Sequence, residues 1–309
     1  KSLKKIGQNI KFDYIIFRKR DTDIQSMEDT MLMSYVLDAG KNRHNMDTLS
    51  DIHLGHKTIK YKDIVGSGKK EIKFSQVELN IAKDYAAEDA DITYRLYKTF
   101  LKSLKSEKLL NIYEIFEKPL IKILASMEIK GIKLDNKFLK KLSIKFEKKI
   151  QDLEKKIFKI SKKKFNIAST KQLGEIMYND LKIASLKKTK KGSFATGAAV
   201  LEDLAYKGNE FPKLVLEWRQ SSKLKNTYSD SLPEHLNPNT KRVHTSFLLA
   251  ATTTGRLASS DPNLQNIPIK TEEGKDIRKA FISETNKKLI SAYYNPVSYT
   301  HLTLPTICS

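Results

Sequence analysis

The chain has 309 residues, enough for about two domains of roughly 100–200 residues each. It contains no apolar run near the ~18 residues that cross a bilayer, and its single cysteine excludes a disulfide-stapled secreted scaffold. The 57 lysines and arginines exceed the 36 acidic residues and give a formal net charge of +21, which favours a polyanionic partner, with nucleic acid preferred over a membrane surface.

Residues 1–108 mix short apolar runs with helical patterns, which predicts an α/β unit. Tyr14–Phe17 is a short apolar run, expected to be buried. Residues 31–37 and 77–100 place apolar side chains at helical spacing, so we expect two helices there.

Residues 109–243 are predicted to be mostly helical. Apolar side chains recur three and four residues apart from Leu139 to Ile160, which is one face of a long helix. Residues 137–164 also hold twelve lysines and a net charge of +9. Such a face is either a solvated surface or a basic rod along a phosphate backbone, and the pattern alone does not separate the two. A further helix is expected from Pro212 to about Tyr228, since proline suits a first helical turn.

In residues 244–292 the apolar side chains no longer recur at helical spacing. These residues carry turn-forming glycines and prolines, and Lys288–Ala292 is predicted to be a strand. Residues 293–309 contain no charged side chain and include Cys308, the single cysteine. This change in composition favours a foreign or frameshifted tail over a neutral strand–turn segment.

Two stretches near the start offer carboxylates on regular elements, at Asn9–Asp13 and at Tyr85–Asp91. Tyr85 and Asp89 are four residues apart and share one helical face. Carboxylates from separate elements can hold divalent cations for phosphodiester hydrolysis, and a tyrosine hydroxyl can orient the attacking water. The alternative is that Asp13 caps a helix and that the acids at 88, 89 and 91 are ordinary surface residues. Spacing alone favours this alternative, and His53 with His56 completes no metal set.

The segment Gly7–Asp13 resembles the second motif of the 3′–5′ exonuclease domain of bacterial family A DNA polymerases, and Tyr85–Asp89 resembles the third. Residues 27–31 and 45–49 are similar to the same domain. This resemblance implies that Asp13 and Asp89 are metal ligands and that Tyr85 positions the water. The family also needs an Asp-x-Glu pair on an upstream strand, which would precede the first residue of this sequence.

The most specific stretch is Thr252–Pro268. It is a polar, turn-rich segment whose arginine and amides suit phosphates and base edges, because only arginine makes a planar bidentate contact. The alternative is a satisfied polar loop. The string resembles the start of the palm in family A polymerases, which implies contacts to the primer–template minor groove from Arg256, Asn263, Gln265 and Asn266. Residues 272–281 fit the palm, while 169–173 and 224–228 fit the thumb and suggest that Lys171 and Lys225 bind DNA.

One position of this chain departs from the pattern of the family that it resembles. In the family, the strand corresponding to Lys288–Ala292 is followed by an aspartate that binds both catalytic magnesium ions. Tyr293 occupies that position here, and a phenol cannot replace a carboxylate that bridges two cations. We therefore expect no complete polymerase active site in this chain.

The predicted fold class is multidomain α+β: a partial ribonuclease H-like α/β exonuclease domain (1–108), a helical thumb (109–243), the start of a polymerase palm (244–292) and an unmatched tail (293–309). The resemblance implies an internal fragment of a bacterial, cytoplasmic, nucleoid-associated DNA-directed DNA polymerase with proofreading exonuclease. Its cofactor would be Mg²⁺, and its partners primer–template DNA and, in the intact enzyme, deoxynucleoside triphosphates. No membrane partner, no signal peptide and a monomer are expected. The alternatives are a truncated, non-catalytic DNA-binding protein and a stand-alone exonuclease, which would need neither thumb nor palm.

Overall fold

The computed structural model describes residues 3–183 and 194–292. The chain forms two compact units, each made from two stretches of sequence: unit 1 is Lys1–Gly131 with His244–Asn266, and unit 2 is Ile132–Val243 with Ile267–Ser309. These units divide the chain differently from the sequence segments, since residues 109–131 and 244–266 both lie in unit 1.

The elements up to the first change of unit are β1 (Lys5–Gly7), α1 (Ile10–Arg18), β2 (Met27–Asp29), α2 (Thr30–Asp38), α3 (Met46–Leu54), α4 (Tyr61–Val65), α5 (Leu79–Ser106), α6 (Leu110–Ile112) and α7 (Lys118–Lys130). Then follow β3 (Ile132–Leu134), α8 (Asn136–Ser161), α9 (Thr170–Glu175), α10 (Ala198–Tyr206), α11 (Glu210–Leu224) and α12 (Ser231–Glu234). The last described elements are β4 (Arg242–Val243), β5 (Ser246–Leu248), β6 (Ala258–Ser260), α13 (Glu272–Lys279) and β7 (Phe281–Ile282). None of the described helices is long and apolar enough to span a membrane.

Unit 1 is built around helix α5. Its buried residues Ile92, Leu96, Phe100 and Leu104 recur every four positions and form one face in the core. Strands β1 and β2 pair in parallel, with Gly7 opposite Asp29. The expected helices at 31–37 and 77–100 are present as α2 and α5.

Residues 109–131 were expected to begin the thumb, but their apolar side chains join the core of unit 1. Tyr113, Ile121 and Leu124 are buried in the same cluster as Phe100. The Tyr113 hydroxyl also accepts a hydrogen bond from the backbone N–H of Asp29 at 2.9 Å. Leu249 belongs to this cluster too, which explains why residues 244–266 return to unit 1.

The apolar run Tyr14–Phe17 is not a uniformly buried segment. It lies within α1, where Tyr14 is buried while Ile16 and Phe17 are exposed. A helix turns successive side chains about its axis, so four consecutive apolar residues cannot all face one core.

In unit 2 the long amphipathic helix is confirmed as α8. Its buried residues are Leu139, Leu142, Phe146, Ile150, Leu153 and Ile157, with Ser161 at the end. The C-terminal part of this face packs against α11, where Phe211 and Val215 are buried. The expected helix from Pro212 is α11, which starts two residues earlier and continues through a π-helical segment, Lys225–Asp230.

Three short strands form an antiparallel sheet in unit 2 in the order β4-β3-β7. Ile132 pairs with Val243, and Leu134 pairs with Phe281. The prediction of a strand at Lys288–Ala292 is wrong, because these residues are irregular and exposed. The strand of this region is β7, preceded by α13, whose first turn is capped by the Thr271 hydroxyl accepting from Gly274 N at 3.1 Å. Residues 293–309, including Tyr293 and Cys308, lie outside the described part of the chain.

Candidate functional site

The start of α1 is fixed by one buried carboxylate, that of Asp29 at the end of β2. Its oxygens accept from the backbone N–H groups of Asn9 and Ile10, each at 3.0 Å, and of Met31 at 2.9 Å. Burial raises the pKa of Asp29 to about 6, against the opposing effect of these hydrogen bonds. Asn9 has a left-handed conformation (φ 58°) and stands directly before α1. By binding Asn9 and Ile10, the Asp29 carboxylate sets where the helix begins and where Asp13 lies, one turn later.

Asp13 and Asp89 line the same open cleft in unit 1, with a volume of about 750 Å³. Partial burial raises the pKa of both carboxyl groups. The Oδ1 atom of Asp89 is buried and has no hydrogen-bond partner in the structure. A buried carboxylate oxygen without a donor is unusual and suits a cation ligand. The two predicted metal ligands therefore lie on separate elements, α1 and α5, and line one cavity.

The described residues provide only part of a metal site. No group of three or more His, Cys, Asp or Glu side chains able to hold a metal ion occurs within residues 3–183 and 194–292. Asp13 and Asp89 thus fit a divalent cation as two ligands of a larger set.

Tyr85 lies one turn before Asp89 on the same face of α5, as the spacing predicts. Burial, together with the negative charge of Asp89, raises the pKa of Tyr85 to about 12. The phenol therefore stays protonated at neutral pH and can donate a hydrogen bond. Its ring contacts those of Tyr61 and Phe74.

Glu88 is not an ordinary surface acid. One carboxylate oxygen lies 2.7 Å from Nε2 of His56, and the other accepts from the backbone N–H of Ile59 at 2.7 Å. This contact cannot be predicted from the sequence, because no local pattern indicates a partner 32 residues away. Asp91, in contrast, is exposed and pairs with Arg95 at 3.5 Å, as expected for a surface acid.

The polar stretch of 252–268 contains strand β6, which forms a hairpin with β5. In this hairpin Phe247 pairs with Ser259. Arg256 is exposed in the loop before β6, and its carbonyl accepts from the Thr252 hydroxyl at 2.7 Å. The side chains that follow β6 are exposed as well: Asn263, Gln265 and Asn266. Asn263 Oδ1 accepts from Gln265 N at 3.0 Å. Hydrogen bonds thus fix the backbone, while the guanidinium of Arg256 and the side chain of Gln265 face solvent.

The two lysines proposed from the thumb motifs differ. Lys171 is exposed in the first turn of α9. Lys225 is half-buried, and its ammonium lies 2.7 Å from Asp230 and 3.3 Å from Glu147. The hydrogen bond to Asp230, with a smaller one to Glu147, raises the pKa of Lys225. Lys225 is thus ion-paired within unit 2, and its contact with DNA stays a prediction.

Comparisons with known proteins match both parts of the chain. The family model described as "DNA polymerase family A" covers residues 136–299, more than half of the sequence, and the "3'-5' exonuclease" model covers residues 1–105. The polymerase match extends to residue 299, so it includes the beginning of the segment 293–309 that was expected to be unmatched.

Among curated relatives, DNA polymerase I of Rhizobium leguminosarum is 48% identical over 96% of this chain, and that of Pseudomonas aeruginosa is 43% identical over 95%. The chain spans only 29% and 32% of their lengths. A solved structure, the POL domain of Pol1 from M. smegmatis in complex with DNA primer-template and dNTP, aligns with a TM-score of 0.77 at 28% identity. That alignment covers 90% of this chain and 45% of the solved one.

Proposed function

The chain belongs to the family A DNA polymerases, and from this premise we propose that it is part of an enzyme that extends a primer 3′ end on a DNA template and excises mismatched ends. Within this chain the observation that carries the proposal is the cleft shared by Asp13 and Asp89, with its unpartnered buried carboxylate oxygen. In the cell we expect the protein to act as a monomer at the bacterial nucleoid, in replication and repair, with Mg²⁺ as cofactor and deoxynucleoside triphosphates as substrates of the intact enzyme.

For the exonuclease step, we propose that Asp13 and Asp89 are ligands of divalent cations. Such cations, when bound, activate a water and stabilise the leaving oxygen of the phosphodiester. Tyr85, protonated at neutral pH beside Asp89, donates its hydroxyl hydrogen bond and orients the attacking water. Asp29 holds the start of α1 and thereby fixes the position of Asp13.

For DNA binding, we propose that Arg256, Asn263, Gln265 and Asn266 contact the minor groove of the primer–template duplex, and that Lys171 contacts phosphate. The exposure of the Arg256 guanidinium and of Gln265 supports this role. The alternative, a satisfied polar loop, accounts for the bonds of Asn263 Oδ1 but not for a solvent-facing arginine in a chain whose basic residues are mostly lysine.

Metal binding tests the nuclease proposal directly on this chain. Titration with Mn²⁺, followed by paramagnetic broadening of amide resonances, is expected to broaden the signals around residues 13 and 89. The Asp89→Asn variant should lose this broadening, whereas Asp91→Asn, which changes an exposed acid on the same helix, should retain it. Equal broadening in wild type and D89N would refute the assignment of Asp89 as a ligand.

Primer–template binding tests the hairpin. Arg256→Ala is expected to weaken binding by about 1–3 kcal/mol if the contact is bidentate to a base, or by less and with a smaller salt dependence if it reaches phosphate. The matched control is Arg95→Ala, which removes an exposed arginine from α5 of the same unit. Loss of affinity in the control equal to that in R256A would mean that only net charge matters, as in the second candidate function, a non-catalytic DNA-binding protein.

That second candidate is favoured by the lysine-rich face of α8. Two of its lysines pair with acids on α13, Lys145 with Asp276 at 3.1 Å and Lys149 with Glu273 at 2.7 Å. Lys141 and Lys148 on the same helix are exposed and form no ion pair within the described residues. A steep fall in affinity with salt, unaffected by R256A, would support this candidate.

A further inference from the structure

Glu88 joins helix α5 to a segment that lies about thirty residues earlier in the sequence. Its two carboxylate oxygens bind Nε2 of His56 and the N–H of Ile59, both at 2.7 Å. The Glu88 side chain is only 17% exposed. The carboxylate therefore holds both partners at once.

The segment held by Glu88 leads directly into an aromatic cluster. Tyr61 follows Ile59 by two residues and begins α4. Its ring stacks on that of Phe74, with centroids 6.0 Å apart, and lies 6.2 Å from the ring of Tyr85. Phe74 lies 6.1 Å from Tyr85. We call Tyr61, Phe74 and Tyr85 the aromatic trio.

The trio determines where the Tyr85 hydroxyl points. Two of its rings belong to the connection between α3 and α5, and only Tyr85 belongs to α5 itself. If that connection moves away from α5, Tyr85 loses both of its ring neighbours. Its χ1 and χ2 angles are then free to change, and the hydroxyl no longer keeps a fixed position relative to Asp89.

We propose that Glu88 is a positioning residue of the exonuclease site: by binding His56 and Ile59 it keeps Tyr61 and Phe74 packed against Tyr85 and so fixes the Tyr85 hydroxyl beside Asp89. This inference rests on the proposed exonuclease function for its consequence in catalysis, but its structural content is testable without DNA hydrolysis.

Other described bonds attach the same segment to α3 and not to α5. The Ser50 hydroxyl donates to the His56 carbonyl at 2.8 Å, and the Thr58 hydroxyl donates to Asp47 Oδ1 at 2.8 Å. Among the described hydrogen bonds of residues 56–60, those made by Glu88 are the ones that reach α5. Loss of Glu88 should therefore leave the segment folded on α3 while releasing it from Tyr85.

The test uses the full chain labelled with 3-fluorotyrosine and observed by ¹⁹F NMR. Tyr85→Phe and Tyr61→Phe assign the two resonances of interest by their disappearance. Glu88→Ala is expected to shift both resonances toward their positions in the denatured protein, while the other tyrosine signals stay in place. Glu88→Gln, which keeps an oxygen for the Ile59 N–H, should restore most of the wild-type shift. Asp84→Ala is the matched control, because Asp84 precedes Tyr85 but is exposed and, among the described residues, pairs only with Lys83 at 3.3 Å.

Unchanged Tyr61 and Tyr85 resonances in folded E88A would overturn the proposal. If E88A does not fold, His56→Ala removes one of the same two bonds from the other partner and decides the question: the two resonances must shift in the same direction, and their constancy would refute the inference. The result is separable from the proposed function. Failure of D89N to abolish Mn²⁺ broadening would reject the metal-ligand role of Asp89, while the ¹⁹F shifts would still show whether Glu88 positions Tyr85.

Discussion

Lys11→Met is expected to destabilise unit 1 strongly, because it leaves a buried carboxylate without its counter-charge. Lys11 on α1 forms an ion pair with Glu128 on α7, and the two side chains are only 6% and 10% exposed. The same Glu128 oxygen accepts from the backbone N–H of Phe247 on β5 at 2.7 Å. One carboxylate thus connects three elements of the unit.

The magnitude follows from the burial of the pair. Removing one partner of a buried ion pair costs about 3–5 kcal/mol, since the remaining charge keeps its desolvation cost. In the double variant K11M/E128Q both charges are gone, and the amide oxygen still accepts from Phe247 N. We therefore expect the double variant to cost only about 1–2 kcal/mol, which is less than K11M alone.

Guanidinium unfolding followed by far-UV circular dichroism, with amide hydrogen exchange in unit 1, measures these values. Trp218, the single tryptophan, belongs to unit 2, so its fluorescence gives that unit's transition separately. Lys102→Met, an exposed lysine on α5, should change stability by less than about 0.5 kcal/mol. A K11M cost no larger than that of K102M, or a double variant as costly as the two single variants together, would refute the reasoning.

Three further outcomes are expected. Asp29→Ala should cost more than about 2 kcal/mol, because three backbone N–H groups lose their buried acceptor; this can be measured by the same unfolding assay, and a loss below 1 kcal/mol would contradict the anchoring role. Burial lowers the pKa of His44 below its ordinary 6.5, so the unfolded chain takes up the proton first and stability should be lost as pH falls below about 6.5; His44→Gln should flatten that pH dependence of the unfolding midpoint. Phe146→Ala should destabilise unit 2 by about 3–5 kcal/mol in the Trp218 transition, because the ring is fully buried, and an unshifted transition would count against α8 as the core helix.

The sequence predicted what depends on local periodicity. Helix α8 could be identified because apolar side chains repeat at helical spacing from Leu139 to Ile160, and the shared face of Tyr85 and Asp89 follows from a separation of four residues. The same reasoning failed for Tyr14–Phe17, since four apolar residues are too few to distinguish a buried run from one turn of a helix.

Contacts distant in sequence could not be predicted. The resemblance marked residues 27–31, but only the fold shows that Asp29 binds the start of α1 and is thus an anchor. Glu88 looked like a surface acid because its partners are about thirty residues away. The cleft that unites Asp13 with Asp89 likewise depends on how α1 and α5 pack, which no spacing in the sequence specifies.

The interleaving of the two units has a consequence for synthesis on the ribosome. Unit 1 needs Leu249 for its core and the Phe247 N–H for Glu128, yet these residues emerge more than a hundred positions after Glu128. Unit 2 in turn needs Phe281 to pair with Leu134. Neither unit can therefore complete its fold until part of the other unit has also been translated. Until residues 247–282 have been translated, Glu128 lacks the N–H of Phe247 and β3 lacks its pairing with β7.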